Sequence, residues 1–333
     1  MKYYSWIVPA LICGIMTANA SEYFVSKQGN DANSGQSRDK AFLTIQKGLN
    51  SIKPGDALTI ASGEYFESVA LTNFGSFDKE TLIRAEIPGT VLLRGDVNAP
   101  SFTKVEGRRF VYVADFDRKV LSVHEVDTMM RLLGASDIDA LEFRPGSWYQ
   151  DTEGKKLYIS SSDFQAPDFH RYTVGLLRGS GFKLADSRRV IIDGLAASGF
   201  MTPAKDPVLW LPEGGFLLHH ATRSNVRRCS SFLNANGIGI RNEPTNGAGT
   251  LVEECRAGGN PGDGIVAFWP SSDTFSNSCS FLNGGCGIQF YADRTGNVLF
   301  SRCLSWGNGY GDFRMKGGGL SGEAKFAMAE QCI

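Results

Sequence analysis

The feature that most limits what this chain can fold into is an internal repeat marked by cysteine and asparagine. Cys229, Cys255, Cys279 and Cys303 are separated by 26, 24 and 24 residues, and four or five residues after each comes Asn234, Asn260, Asn283 or Asn308. Each asparagine leads into glycine and then an alternating segment, as in "CSSFLNANGIGIRN" and "CLSWGNGYGDFRMKG". A weaker unit, "RRVIIDGLAASGF", runs from Arg188 to Phe200. Of the 39 glycines, 18 fall between residues 231 and 320, where turns or close backbone approaches must recur. A period near 24 with two short strands is long for a leucine-rich horseshoe and short for a propeller blade. It fits a solenoid coil whose backbone pairs with the coils above and below.

The ends of the chain carry other signals. Met1 to Ala20 has Lys2, an apolar run from Trp6 to Met16, and Ala18-Asn19-Ala20, the pattern of a secretory signal removed before Ser21. The run is too short to span a bilayer, and no later segment is apolar for eighteen residues. The expectation is a chain from 21 to 333, secreted, periplasmic or at the cell surface, monomeric, with no transmembrane segment after cleavage. "AKFAMAEQCI" starts another unit with Cys332, so the last coil looks truncated at 333. With 34 basic and 35 acidic residues, no field favours nucleic acid or an anionic membrane.

Two segments break the rhythm. Phe42, Ile45, Leu49 and Ile52 are spaced 3, 4 and 3, which predicts a helix with one apolar face, suited to covering the open end of a solenoid. Between residues 126 and 178 "FRPGSWYQDTEGKKLYISSSD" reads as a hairpin, with strands around Trp148-Tyr149 and Leu157-Ile159 joined by a polar turn. That region is expected to be a small β-rich insertion. The cysteines of successive coils are expected to stack as a buried apolar column, with a Cys279–Cys286 or inter-coil disulfide as the alternative.

In these units the chain resembles the right-handed parallel β-helix repeat proteins, a secreted carbohydrate-active group that includes β-helix glycosidases and the pectate lyases of polysaccharide lyase family nine. The segment from Tyr23 to Glu67 resembles the opening of such proteins, and the "PG-x-WY-x-D…LY" pattern resembles their inserts. The resemblance implies an all-β, right-handed parallel β-helix and a polysaccharide substrate or ligand.

Aligning the strands after each asparagine puts Ile238/Ile240, Ile265/Ala267, Ile288/Phe290 and Phe313/Met315 in the core. Alternation then turns outward Gly237, Gly264, Gly287 and Asp312; Gly239, Val266, Gln289 and Arg314; and Arg241, Phe268, Tyr291 and Lys316. Asp263 precedes this face, and Trp269 and Asp293 follow it. The expectation is a glycine-floored sugar groove in which Arg241, Phe268, Trp269, Gln289, Tyr291 and Asp293 bind substrate. "DFRMKGG" is similar to the "GFKLGG" stretch carrying the catalytic lysine in family nine, with Arg314 in the lysine's place and Lys316 one outward step on. The implied chemistry is β-elimination on a uronate, with Lys316 as base, Arg314 and Asp312 beside it, and Asp263 as a calcium ligand. The alternatives are hydrolysis by an Asp263/Asp312 pair and a non-catalytic glycan-binding or adhesin-type solenoid. One of His219-His220 should also face outward, where it could meet substrate. Asp193, before Gly194, reads as a turn residue.

Overall fold

The computed structural model describes residues 20–202, 212–242, 249–268, 272–292, 298–317 and 327–330, with the backbone alone for 291–292, 313–317 and 327–330. Three parallel sheets run side by side. Sheet A has nine strands, from Glu22–Val25 to Ala327–Glu330; sheet B has seven, from Gly63–Tyr65 to Leu304–Trp306; sheet C has seven, from Val69–Thr72 to Gly311–Gly317. Each coil contributes one strand to each sheet in the order A, B, C, as in Asn225–Arg227, Ser230–Phe232 and Ile238–Arg241. This is a right-handed parallel β-helix.

The inner faces of the three sheets form one apolar core, in which Leu58, Ile83, Ile192, Val226, Val252 and Phe275 of sheet A are buried. At its amino end the helix Ile45–Ser51 closes the core. Its cap is Thr44, whose side chain accepts from Lys47 N and is itself held by Asp31. Phe42, Ile45, Leu49 and Ile52 are all buried, as their spacing predicts. Burial of each such side chain stabilises by about 1.5–3 kcal/mol.

From the coil of Val190–Asp193 onward, the corner between sheets A and B turns on a single left-handed residue. Gly194, Arg228, Glu254, Asn277 and Arg302 have φ of 74°, 53°, 53°, 50° and 51°. The residue after it points inward, and here the cysteine column needs correction. Cys229, Cys255 and Cys303 are buried, but Cys279 belongs to the following strand, in register with Arg256 and Leu304, and is half-exposed. Ser278 takes the column position, its Oγ accepting from Cys255 N at 3.1 Å. Asparagine is the better register mark, because five residues separate each column member from its asparagine when Ser278 is counted. No disulfide joins any two of the described cysteines.

The insertion is longer than the segment 126–178 expected from sequence. Antiparallel pairing starts at Asp96–Asn98 and ends at Tyr172–Gly175. A four-stranded sheet, here sheet D, orders Met130–Arg131, Ser122–Glu125, Tyr172–Gly175 and Asp96–Asn98; a five-stranded sheet contains the hairpin Ser147–Asp151/Lys156–Ser160. Between them lies a separate core of Val120, Val123, Leu132, Leu157, Ile159, Tyr172 and Val174. The early start was hidden because only Gly95 separates solenoid strand Val91–Arg94 from insert strand Asp96–Asn98. The chain changes sheets there without a turn signal.

Candidate functional site

The asparagines form a buried ladder in the corner between sheets B and C. Asn234 N donates to Asn260 Oδ1 at 3.0 Å, Asn260 N to Asn283 Oδ1 at 3.1 Å and Asn283 N to Asn308 Oδ1 at 3.0 Å. The amide nitrogens of Asn260 and Asn283 also donate to the next oxygen, at 2.8 and 2.9 Å. Serines reinforce the corner: Ser231 Oγ donates to Gly237 O, Ser280 Oγ to Gly287 O and Ser305 Oγ to Asp312 O.

This corner removes the glycine floor that alternation predicted. A Cβ on Gly264 would overlap Ser280 Oγ, and one on Gly287 would overlap Ser305 Oγ. The column faces the ladder because the chain bends where the corner meets sheet C, so strict alternation starts one residue later. Asp312, at the head of this column, puts Oδ1 2.7 Å from Asn308 Nδ2, where the preceding coils have the next asparagine oxygen. Asp263 also has a structural task. Asn236 Oδ1 accepts from Asp263 N at 3.0 Å, and Asp263 Oδ1 accepts from Cys286 N at 2.7 Å, so the acid continues a second short ladder. The two acids expected to form a hydrolytic pair are therefore engaged in the scaffold through Oδ1. Among the described residues no group of three or more His, Cys, Asp or Glu side chains is placed to hold a metal ion.

The outer face of sheet C carries the remaining candidates. Strand register defines two outward columns across its seven strands. One is Ala70, Lys183, Leu217, Gly239, Val266, Gln289 and Arg314; the other is Thr72, Ala185, His219, Arg241, Phe268, Tyr291 and Lys316. The centre of the first column is covered: Leu217 and Val266 are buried, Gln289 is 2% exposed, and a Cβ on Gly239 would overlap Pro212. Gln289 is thus not an open contact residue as expected. In the second column His219, Arg241 and Phe268 are half-buried. Trp269 and Asp293 lie outside the described residues, as do the side chains of Tyr291, Arg314 and Lys316; the register alone puts the last three in line.

His219 and His220 lie ring against ring, with centroids 3.9 Å apart, and His220 Nδ1 is 3.0 Å from Asp186 Oδ1. Burial, and then the neighbouring His220, Arg241 and Lys183, push the His219 imidazole down to about 4. It is neutral at ordinary pH. Asp193 is more than a turn residue. It is 2% exposed and receives Arg228 Nη2 at 2.6 Å and Arg227 Nε at 2.9 Å. Burial opposes its charge, but the two arginines outweigh burial and hold the carboxyl below its usual range.

Lys183 was missed by the repeat argument, because its strand precedes the recognised units and follows the insertion. A sequence signal was present all the same. Gly181-Phe182-Lys183-Leu184 matches the start of the "GFKLGG" stretch with lysine in place, and the fold puts Lys183 in the same outward column as Arg314.

Comparison with known proteins identifies the fold. The chain aligns with a solved structure described as a glycoside hydrolase at 12% identity and a TM-score of 0.56, covering 89% of this chain and 86% of that one. It aligns with the structure of XylC in complex with xylose at 14% identity and a TM-score of 0.54, covering 88% of this chain and 63% of XylC. No curated protein matches the sequence. The family model described as "Right handed beta helix region" matches residues 150–321, more than half of the chain, and the protein belongs to that family.

Proposed function

We propose that this protein is an exported polysaccharide lyase that binds a uronate-containing glycan along the outer face of sheet C and cleaves it by β-elimination. One observation carries the reading: the two outward columns contain Lys183, His219, Arg241, Arg314 and Lys316 and not one carboxylate. Such a strip suits a polyanion, and Phe268 offers a surface for a sugar ring. It does not suit hydrolysis, which needs two carboxyl groups flanking the bond. Solved chains of this fold include a glycoside hydrolase and a complex with xylose, so the architecture accommodates carbohydrate.

In this reading Arg241 pairs with the uronate carboxylate, with neutral His219 beside it, and withdraws charge from the adjacent carbon. Lys183, in its neutral form, removes the proton from that carbon. The C–H electron pair becomes the new C=C bond, and the glycosidic oxygen leaves and takes up a proton. Arg314 and Lys316, further along the columns, serve neighbouring uronates.

The test uses the full chain with polygalacturonate, alginate and a neutral glycan. The expected result is the near-ultraviolet absorbance of an unsaturated uronate. Lys183→Ala should lower it about 100-fold or more, the scale of a lost general base, while Lys316→Ala weakens substrate binding. The roles exchange if Lys316→Ala is the variant that abolishes turnover. New reducing ends without absorbance would point to a hydrolase, binding without either to a glycan-binding solenoid, and both outcomes overturn the lyase.

A further inference from the structure

Two independent signals meet at the bond between Ala20 and Ser21. The first is in the sequence: Ala18 and Ala20 are small residues of the kind a leader peptidase reads before the bond it cuts, and they follow the apolar run from Trp6 to Met16. The second is in the fold. Ser21 is the first of the described residues tied to the solenoid: its N–H donates to Asp56 Oδ1 at 2.8 Å, and its carbonyl accepts from Ala57 N at 2.8 Å. Ala20 and Ser21 are both exposed, so the bond between them is open to solvent. Directly after Ser21 comes Glu22–Val25, the first strand of sheet A, paired in parallel with Ala57–Ile60.

Asp56 is what makes this anchor more than a backbone contact. It is 7% exposed, and its two oxygens are held by backbone N–H groups, Oδ1 by Ser21 and Oδ2 by Lys53 at 2.7 Å. Among the described residues no Lys, Arg or His side chain forms an ion pair with it. A carboxylate buried without a cation is costly and uncommon. The charged groups around the cleft that Ser21 and Asp56 share are Lys53, Lys79 and Glu80, all exposed, with Tyr23 as the other titratable group. Glu22, the next residue, is already taken by Arg84 at 3.0 Å and Thr59 at 2.7 Å. The place of a counter-charge to Asp56 is thus held by the Ser21 nitrogen, and hydrolysis of the Ala20–Ser21 bond turns that nitrogen from a neutral amide into an ammonium.

We infer that Ala20–Ser21 is a processing site, and that the amino group released there forms an ion pair with Asp56 that fastens the first strand of sheet A. A leader peptidase adds water across the peptide bond; Ala20 leaves as a carboxylate, and the proton its carboxyl releases is matched by the one that the Ser21 amine takes up. The nitrogen lies 2.8 Å from Oδ1 and gains a positive charge and two further hydrogens. A bond in which both partners are charged is stronger than one from a neutral amide. The chain that still carries its leader lacks this pair, so the mature protein is the more stable form. None of this depends on the reaction proposed for sheet C.

The test starts with the full chain expressed in an exporting bacterial host and the exported protein weighed intact by mass spectrometry. A chain that starts at Ser21 is expected; a retained leader or a start at any other residue overturns the processing site. The Ser21 amino group of the mature protein is then titrated by nitrogen NMR. An α-amino group ordinarily titrates at about 7.7–8.0. Paired with Asp56 it should titrate at about 9, and Asp56→Asn, which keeps an acceptor oxygen for Ser21, should return it to the ordinary range. The folded value is the raised one, so the pair stabilises fully below about pH 7.7 and is lost as pH rises through about 9. In urea unfolding at about pH 7, the mature protein should exceed a form that begins at Ala20, released from a fusion tag, by about tenfold in the folding equilibrium constant, and the gap should close by about pH 10. The ion pair is overturned if the amino group titrates in the ordinary range, or if Asp56→Asn leaves a raised value in place. Should Asp56→Asn not fold, the form beginning at Ala20 decides: equal stability of the two chains at pH 7 overturns the pair.

Discussion

The asparagine corner and the junction with the insertion both bury polar side chains, yet they satisfy them in opposite ways. In the corner the same residue recurs at one position of each coil, about 4.8 Å apart. Each asparagine accepts from the coil before it and donates to the coil after it. At the junction, Ser122, His124 and Thr173 lie on antiparallel strands with no translational copy, and their side-chain atoms find no partner among the described residues. Repetition supplies hydrogen-bond partners without further design, while an interruption has to obtain them elsewhere.

The largest expected effect tests the first half of that contrast. Asn283→Ala removes the acceptor of both Asn260 N and Asn260 Nδ2, and should lower stability by about 2–4 kcal/mol in denaturant unfolding. A loss under 0.5 kcal/mol would show that the ladder contributes little. Next is Gly287→Ala, whose methyl would overlap Ser305 Oγ; the expected cost is about 1–3 kcal/mol, with the damage local to the sheet C corner by hydrogen exchange.

A matched pair of substitutions sharpens the comparison further. Ser280→Ala deletes a donor to Gly287 O at 2.6 Å and an acceptor for Asn283 Nδ2 at 3.0 Å, and should cost about 1–2 kcal/mol. Ser122→Ala deletes a buried hydroxyl with no partner among the described residues, and should be neutral or stabilising by up to about 1 kcal/mol. Equal costs for the two would mean that the corner and the junction do not differ in how they satisfy buried hydroxyls.

The smallest effect at neutral pH becomes visible in acid. Burial, and then Arg131, push the His124 imidazole down to about 3, and His219 is down at about 4. In both cases the unfolded chain, titrating near 6.5, binds protons before the folded chain does. Their contribution to stability is complete above about pH 6.5 and is lost as pH falls below it. Urea unfolding between about pH 7 and 4.5 should show the decline, and His124→Leu should flatten it. An unchanged slope in the variant would mean that His124 is not held neutral.

Much of the scaffold was legible in the sequence because a solenoid repeats its constraints. The coil period, the helix at Ile45–Ser51 and the inward pairs Ile238/Ile240, Ile265/Ala267 and Ile288/Phe290 all follow from spacing, while the side chains of Phe313 and Met315 lie outside the described residues. What failed did so where a local rule met a corner. Cys279 resembles a column member because cysteine and serine are both small enough for the position held by Ser278. Gly264 and Gly287 looked outward because the alternation rule counts residues and ignores the bend before the strand. Asp263 and Asp312 stood out in the sequence as acids beside glycine, and their part in the scaffold was hidden because only the folded corner shows each Oδ1 accepting a ladder hydrogen bond. The charged columns of sheet C were partly visible, and Lys183 escaped because it belongs to a coil split by about eighty residues of insertion.

The left-handed corner between sheets A and B acts as a ruler for the carboxy-terminal coils. From the coil of Asn225–Arg227 onward, two residues join each sheet A strand to its sheet B strand, while four to six join B to C. One torsion angle sets the turn, so this edge has no slack and passes register unchanged from coil to coil. Among these coils length variation goes to the B-to-C edge and to the return to sheet A. Loops there can be exchanged to retune a binding face without disturbing how the coils stack.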